Sequence, residues 1–515
     1  MKSAARTLSL FSLAALFWLG SVDASAQTPG CATLQGSAAT QSLPRYAGTL
    51  TAGNLSTAGG NGNYLYVLTQ WGFARSSLAD PGSPTAFTQV IIADEPGSGN
   101  GGLIQLTCDC HQGGTAFDAA EAPDGSARMI SDFNAARLAP TLLAPAQVAR
   151  ADGSGSVRFG QQSNIGSGGV TQGLRIAAIY VSSSGKYFGY VPTGTGVAVI
   201  DMTNTSGSLA KSNALNPSGF LGWTSTSAVR LTAARVNFGG SDLYLLAGAT
   251  SGNTLRIGTI NPASGSVTET ASVSTTGASN SLNIALVNGR IFVFSAEGTS
   301  GLHAYEYAPG QFGGTLTPVA GSIPGNFDRV LVRGTQFPAI FGHNKTSSTT
   351  SFIEIYDSKW VTQGGSAVKA GSFAQIGASE PYFNNSFEAK VKTVGSSVIA
   401  YLYRLKSPGV AGAEAIAVAH TIDISCIAAD LTAPPTASAT MTNLSAASRT
   451  GAEATKNYYG DRWRIQNTSS TAAPLDQMEW DLNVLNVGGV NTFQMDPLFS
   501  GALPNAGLSD LNPVY

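Results

Sequence analysis

A strand–turn–strand unit that recurs along most of the chain constrains its fold more than any other feature. The clearest copy spans residues 290–307, where an apolar run at 291–294 precedes a polar turn and a second, alternating strand. Asn-Gly or Gly-Gly pairs mark several of the hairpin turns. Similar apolar runs start at steps of roughly 47 to 64 residues, at 64–68, 128–130, 187–191, 243–246, 291–294, 337–341 and 398–402.

Each unit contains three readable strands and room for a fourth. A repeat of about 40 to 50 residues with four strands is typical of a β-propeller blade, whereas tandem sandwiches need about 100 residues per repeat. The sequence therefore predicts an all-β protein with a seven-bladed β-propeller at 48–432, after an irregular lead-in at 27–47. Tandem β-sandwiches and a β-helix are the alternatives. The second unit is the weakest, because Pro140 and Pro145 disfavour a central strand there.

The composition excludes one class of partner. Charged residues make up 11% of the chain and the formal net charge is −2, against roughly 25% charged residues in an average soluble protein. No run of Lys and Arg occurs, and neutralising phosphates requires such clusters. The predicted partners therefore do not include nucleic acid.

The first 26 residues have the pattern of a secretory signal peptide. Lys2 and Arg6 precede a short apolar core at 8–19, and an A-x-A motif ends at Ala26. A membrane anchor is the alternative, but the apolar run is shorter than the ~20 residues that a span needs. We expect cleavage after Ala26, no membrane span in the mature chain, and a secreted or cell-surface location.

Two of the four cysteines lie where the propeller must close. Cys31 precedes the first unit and Cys426 follows the last strand of the seventh. An even number of cysteines in an exported chain favours disulfides. A Cys31–Cys426 disulfide would tie the ends of the ring together, and two free buried thiols are the alternative.

The other two cysteines form a Cys108-Asp109-Cys110-His111 segment. A disulfide across one intervening residue would be strained. Reduced, the segment would offer only three adjacent ligands, whereas zinc sites draw on a second, separated pair. We therefore predict no metal site and no cofactor.

One repeat also resembles a known family. Residues 187–201, YFGYVPTGTGVAVID, are similar to the φ-Y-V-A-x-x-x-G-L-x-V-x-D repeat of secreted bacterial β-propellers, and 243–260 and 292–307 are looser copies. The resemblance covers about 380 residues in architecture. It implies an exported bacterial propeller and names no substrate, because propellers have many unrelated functions.

The composition changes after Cys426. A linker-like Ala-Pro-Pro-Thr at 433–436 precedes strand-like residues at 459–465, an Asn-Thr-Ser-Ser stretch and Glu-Trp-Asp-Leu at 479–482. This pattern resembles the PKD type of immunoglobulin-like module, without that family's Gly after Trp-Asp-Phe. The resemblance implies a small β-sandwich at 433–515. No closing strand is evident before the last residue, so the module is expected to be incomplete or to end in a short strand.

Polar residues concentrate in two sets of loops that propellers place at one end of every blade. One set joins the second and third strands, and the other leads into the innermost strand of the next blade. The alternative to a functional ligand face is that these loops are polar only because they are exposed to solvent, as loops are in any protein. His303 and His420 fall inside strands and are predicted to be structural. The predicted ligand-binding residues are Trp71, Asp109, His111, Asn326, Asp328, Asn385 and Arg404.

The sequence favours binding over catalysis. It has no H-x-x-x-H pair, no G-x-S-x-G elbow and no phosphate-binding glycine motif followed by a helix. We expect a recognition protein that binds an extracellular glycan or protein through this loop face. A hydrolase or lyase that uses Asp132, Glu297 and His343 is one alternative. A structural surface-layer or adhesion protein is the other.

Overall fold

A computed structural model of the protein describes residues 30–43, 53–69, 72–82, 87–89, 117–132, 146–151, 157–163, 176–193, 196–203, 214–218, 230–250, 252–310, 313–334, 338–377, 380–406, 416–428, 437–443 and 461–467. The chain divides into two compact units, Met1–Ala429 and Asp430–Tyr515.

The first unit is built almost entirely from antiparallel strands. Two short strands come first, β1 (Thr33–Leu34) and β2 (Ala39–Ser42). Five four-stranded sheets follow. The first holds β3 (Gly53–Ser56), β4 (Leu65–Thr69), β5 (Gly72–Ser76) and β6 (Thr88–Gln89), with a 3-10 helix at Ser77–Ala79. The second holds β7 (Phe117–Glu121), β8 (Ala127–Asp132), β9 (Ala146–Ala151) and β10 (Val157–Ser163). The third holds β11 (Ala177–Val181), β12 (Lys186–Thr193), β13 (Gly196–Asp201) and β14 (Ala214–Ser218).

The repeat continues in the same pattern towards the end of this unit. The fourth sheet holds β15 (Arg230–Phe238), β16 (Ser241–Thr250), β17 (Thr254–Ile260) and β18 (Val267–Ser274). The fifth holds β19 (Ser281–Val287), β20 (Arg290–Ala296), β21 (Leu302–Ala308) and β22 (Thr315–Pro318). Then come β23 (Phe327–Arg333), β24 (Ala339–Lys345), β25 (Ser351–Tyr356), helix α1 (Trp360–Gln363), β26 (Lys369–Gly377), β27 (Glu380–Val394), β28 (Ser397–Lys406), β29 (Ile416–Asp423) and helix α2 (Ser425–Ala428).

The first strands of these units form a closed ring. Strand β3 contacts β7, and the contacts continue in order through β11, β15, β19 and β23 to β27, which contacts β3. The other strands of each sheet follow outward from this ring in the order of the sequence. This arrangement is a β-propeller, as the repeat predicted.

The prediction of seven separate blades is wrong, because the described strands of this unit form six sheets. Strands β26 and β27 pair at Ile376–Pro381 and Gly377–Glu380. This pairing joins the strands of the last two predicted units into one nine-stranded sheet, which also includes β1 and β2.

The apolar runs seen in the sequence lie in strands that are covered on both faces. In β20, Ile291 and Val293 pack with the fourth sheet, whereas Phe292 and Phe294 pack with residues of β23 and β24. All four side chains are fully buried. Since burying a large apolar side chain contributes roughly 1.5 to 3 kcal/mol, packing between neighbouring sheets is the main source of stability. The turn before β20 has positive φ at both Asn288 and Gly289, as a type I′ hairpin requires.

Polar side chains link neighbouring strands at the inner ring. Asp118 of β7 accepts hydrogen bonds from the Ser56 hydroxyl of β3 and the Ala178 amide of β11, each at 2.9 Å. Burial raises the pKa of this carboxyl to about 6. Arg333 of β23 forms a 2.7 Å ion pair with Glu388 of β27. These contacts supplement the apolar packing where the ring is narrowest.

The two ends of the propeller are held together at one edge of the nine-stranded sheet. Strands β1 and β2 both pair with β29, so the lead-in expected to be irregular contains two strands. The predicted Cys31–Cys426 disulfide is present, with Cα atoms 5.9 Å apart. Cys108 and Cys110 lie outside the described residues.

The second unit contains an antiparallel pair of strands in its described part. These are β30 (Ala437–Asn443) and β31 (Asp461–Asn467). The predicted strand around Trp480 lies outside the described residues. No described helix of either unit has the length and hydropathy of a membrane span.

Reduction of the Cys31–Cys426 disulfide is expected to destabilise the propeller. A disulfide that closes a loop of this length, 395 residues in sequence separation, stabilises by more than ~4 kcal/mol in the chain-entropy model. A Cys31→Ser/Cys426→Ser double variant should therefore melt at a lower temperature than the oxidised wild type. Calorimetry with and without reductant checks this, and an unchanged melting temperature in the double variant would contradict it. Any effect of reductant on that variant reports on Cys108 and Cys110.

Candidate functional site

A cavity of about 320 Å³ opens between the outer parts of the fourth and fifth sheets. Its walls are formed by two connections, the one between β18 and β19 and the one between β22 and β23, together with residues 303–305 of β21. Both connections lead into the innermost strand of a sheet, which is one of the two loop sets from which the sequence predicted a ligand face. The lining residues are Ser274, Thr276, His303, Ala304, Tyr305, Pro318, Val319, Gly321 and Ser322. We call this cavity the blade-edge pocket.

Glu297 holds two walls of the blade-edge pocket in place. Its side chain is fully buried, and its oxygens accept 2.7 Å hydrogen bonds from the Gly277 amide and the Tyr305 hydroxyl. Burial, together with the hydrogen bond to Glu297, raises the pKa of Tyr305 well above its usual value. Tyr305 therefore stays protonated and cannot serve as a base. Glu297 acts here as a support beneath the pocket.

His303 presents one free nitrogen at the pocket. Its Nε2 lies 2.9 Å from the Ser300 carbonyl oxygen and 3.9 Å from Glu297 Oε2. Since a carbonyl oxygen only accepts, this geometry assigns the proton of the neutral ring to Nε2. The other nitrogen, Nδ1, is then an acceptor, and no described residue bonds to it. His303 lies in a strand, as predicted, but its place in the lining of the pocket was not predicted.

The three predicted catalytic residues lie in different sheets. Asp132 ends β8 in the second sheet, Glu297 follows β20 in the fifth, and His343 lies in β24. No hydrogen bond or ion pair joins Glu297 to His343 in the part of the chain that the structure describes. A shared acid–base role for these residues therefore stays a prediction.

His343 instead comes together with Asp328, a predicted ligand-binding residue, where β23 begins and β24 ends. Asp328 lies 2.5 Å from His343 Nδ1 and 2.6 Å from the Lys345 ammonium. Burial acts to raise the pKa of Asp328, but the hydrogen bonds and charges of His343 and Lys345 outweigh it and lower the pKa. His343 is fully buried, and its Nε2 has no hydrogen-bond partner among the described residues. Asn326 is bonded to Lys345 and Asn344 through its backbone.

Arg404 does not reach the loop face, contrary to the sequence-based prediction. It lies in β28 and is 1% exposed. Its guanidinium stacks on the Tyr382 ring at 3.8 Å and donates to the Ala374 carbonyl and to His420 Nε2, each at 2.6 Å. These contacts hold Arg404 inside the sheet, so its role is structural. His420 is also buried, as predicted.

Other predicted site residues cannot be placed against the pocket. Trp71, Asp109 and His111 lie outside the described residues, as do the side chains of Asn385 and Asp132. Within the described ranges, no group of three or more His, Cys, Asp and Glu side chains could hold a metal ion.

Comparison with known proteins does not assign the chain to a family. No protein-family model and no curated protein matches the chain. An Aleuria aurantia lectin in complex with Fucα1-6GlcNAc is 13% identical, with 59% of this chain and 96% of the lectin covered and a TM-score of 0.36. A candidate 6-phosphogluconolactonase of Bacteroides uniformis is 13% identical, with 72% and 93% covered and a TM-score of 0.37. A Bacteroides fragilis counterpart is 12% identical, with 72% and 91% covered and a TM-score of 0.38. Likenesses this weak carry no information about ligand or activity.

Two tyrosines of β21 allow a matched test of the support beneath the pocket. The Tyr305 hydroxyl bonds to the Glu297 carboxyl, whereas the equally buried Tyr307 hydroxyl bonds to the Thr270 hydroxyl at 2.8 Å. Hydrogen bonds to charged groups contribute about 1.5 to 3 kcal/mol, and neutral ones about 0.5 to 1.5 kcal/mol. We expect Tyr305→Phe to lower the free energy of unfolding more than Tyr307→Phe does. Urea denaturation of both variants checks this, and equal losses would contradict it.

His420 should make the propeller less stable in acid. Burial and the nearby Arg404 charge lower its pKa from 6.5 to about 3. Between these two values the unfolded chain binds a proton that the folded chain does not, so stability falls as the pH drops below 6.5 and is unaffected above it. His420→Gln keeps an acceptor for Arg404 and takes up no proton. From pH 7 to pH 4 the melting temperature of the wild type should fall more steeply than that of the variant. Parallel curves would show that this interpretation is wrong.

Proposed function

We propose that the protein is an exported recognition protein that binds a glycan through the blade-edge pocket. In this proposal residues 1–26 direct export, and the module at 433–515, of the immunoglobulin-like type, serves as a spacer or attachment. The native setting is the surface or surroundings of a bacterial cell.

The chemistry of the pocket is the observation that carries this proposal. Hydroxyl groups of Ser274, Thr276 and Ser322, together with His303, line one part of the cavity, and Pro318 and other apolar residues line another. A sugar ring presents hydroxyls at its edge and C–H groups on its faces. Sites for small ligands typically combine an apolar surface with a few fixed polar groups in this way.

The size of the cavity favours a glycan over a folded protein as the ligand. At about 320 Å³, the pocket lies at the lower end of the 300 to 1,000 Å³ that is typical of small-molecule sites. A stable protein–protein interface instead buries roughly 800 Å² on each partner. A short glycan would fill the cavity, and a protein would need a surface that extends far beyond it.

Catalysis finds less support than binding. Glu297 has no exposed side-chain surface and already accepts two hydrogen bonds. A catalytic carboxyl must come within hydrogen-bond distance of the substrate. Assembly of the purified chain into sheets or filaments would instead favour a structural surface protein.

Filling the pocket should abolish glycan binding. Ser322 is exposed at the rim, so Ser322→Trp should block the cavity without disturbing the core. Ser184, an exposed serine in the β11–β12 turn at the opposite end of its sheet, provides the matched control Ser184→Trp. We expect glycans that bind the wild type on an array to bind Ser184→Trp equally and Ser322→Trp at least about tenfold more weakly, a loss of about 1.4 kcal/mol. Unchanged binding by Ser322→Trp would contradict the assignment of the pocket.

A further inference from the structure

The hydrogen-bonding groups that remain free in the blade-edge pocket define the class of glycan more narrowly. Three of its polar groups are already committed within the protein. The Tyr305 hydroxyl donates to Glu297, Thr276 is hydrogen-bonded to Tyr305, and Nε2 of His303 bonds to Ser300. Among the described residues this leaves the hydroxyls of Ser274 and Ser322 and Nδ1 of His303 to meet a ligand.

Each of the free groups can accept a hydrogen bond from a ligand hydroxyl, and the two serine hydroxyls can also donate one. None of the nine lining residues is Asp, Glu, Lys or Arg. Carboxylate, sulfate and phosphate groups are recognised by Arg, Lys or clustered backbone amides, and no basic side chain lines this cavity. Hydroxyls both donate and accept, so they match the hydroxyls of a sugar.

Glu297 adds an electrostatic reason against an acidic ligand. Its Oε2 lies 3.9 Å from Nε2 of His303, which lines the cavity. Its side chain is fully buried, where solvent screens charge less effectively than at the surface. An anion in the pocket would therefore be repelled with no lining cation to offset the repulsion.

The apolar part of the lining fits the less polar side of a pyranose ring. Ala304, Pro318 and Val319 contribute only C–H surface from their side chains. A ring with its hydroxyls towards Ser274, Ser322 and His303 can turn its C–H groups towards these three residues. Burying such surface is favourable by about 25 cal/mol per Å².

We propose that the blade-edge pocket binds a neutral pyranoside and discriminates against acidic sugars, with His303 Nδ1 accepting a hydrogen bond from a ring hydroxyl. This inference rests on the proposed function, since it concerns the same site. It adds the ligand class and names His303 and Ser322 as specificity-determining residues.

The test compares sugars that differ in one group. Methyl glycosides of the common neutral hexoses are titrated into the mature protein by calorimetry, beside the matching methyl hexuronides. We expect a neutral glycoside to bind at least about tenfold more tightly than its hexuronide. Hexuronide binding as tight as that of the neutral sugar would overturn the inference.

Two variants connect the preference to named residues. His303→Phe should weaken neutral-sugar binding about three- to tenfold, the loss of one hydrogen bond, with its folding monitored by thermal unfolding. Because Ser322 is exposed, Ser322→Lys should fold normally, and its new cation should reduce the preference for neutral sugar over hexuronide at least about threefold. Ser184→Lys is the matched control and should leave the ratio unchanged. An unchanged ratio in Ser322→Lys would overturn the inference.

The outcomes separate the two proposals. If the glycan array and both classes of glycoside show no binding, the proposed function fails. If glycans bind but prefer an acidic sugar, or bind equally well to Ser322→Trp, then only the assignment to this pocket or to neutral sugars fails.

Discussion

Closure of the ring is the constraint on which the rest of this structure depends. Every inner strand needs a neighbour on both sides, and β27 supplies the last one by contacting β3. Closure leaves the outer edge of the last sheet to be completed by β1 and β2, which the disulfide ties to the end of β29. Closing the circle packs apolar side chains of the first sheet, such as Leu55 and Val67, against Tyr403 and Leu405 of the last sheet, so that neither face is left exposed.

The loop face is a consequence of that closed ring. Because each sheet follows the same strand order, connections of the same kind gather at the same end. Two of them, with His303 and Tyr305 of β21, form the blade-edge pocket. A buried carboxyl, Glu297, links two of its walls. Small hydroxyl-bearing residues thus line the pocket, and Glu297, which does not line it, holds two of its walls together.

The sequence predicted the features that depend on burial and periodicity. The runs around 291–294 are apolar because both faces of β20 are covered, and Cys31 and Cys426 are paired because closure brings the two ends together. The sequence did not predict the features that depend on contacts between distant strands. The β26–β27 pairing that merges two units leaves no periodic signal, and Arg404 is drawn into its sheet by Tyr382 and His420. No motif marks the pocket, since serine and threonine occur throughout the chain.

The pairing of β1 and β2 with β29 also fixes an order of events during synthesis. The first described strands of the chain must wait for a partner that is made almost 400 residues later, at the sequence separation of the disulfide. Until β29 has been synthesised, the last sheet is incomplete and Cys31 cannot form its disulfide. The propeller therefore closes only when the whole first unit is complete, and a chain that ends before β29 lacks both the strand pairing and the disulfide.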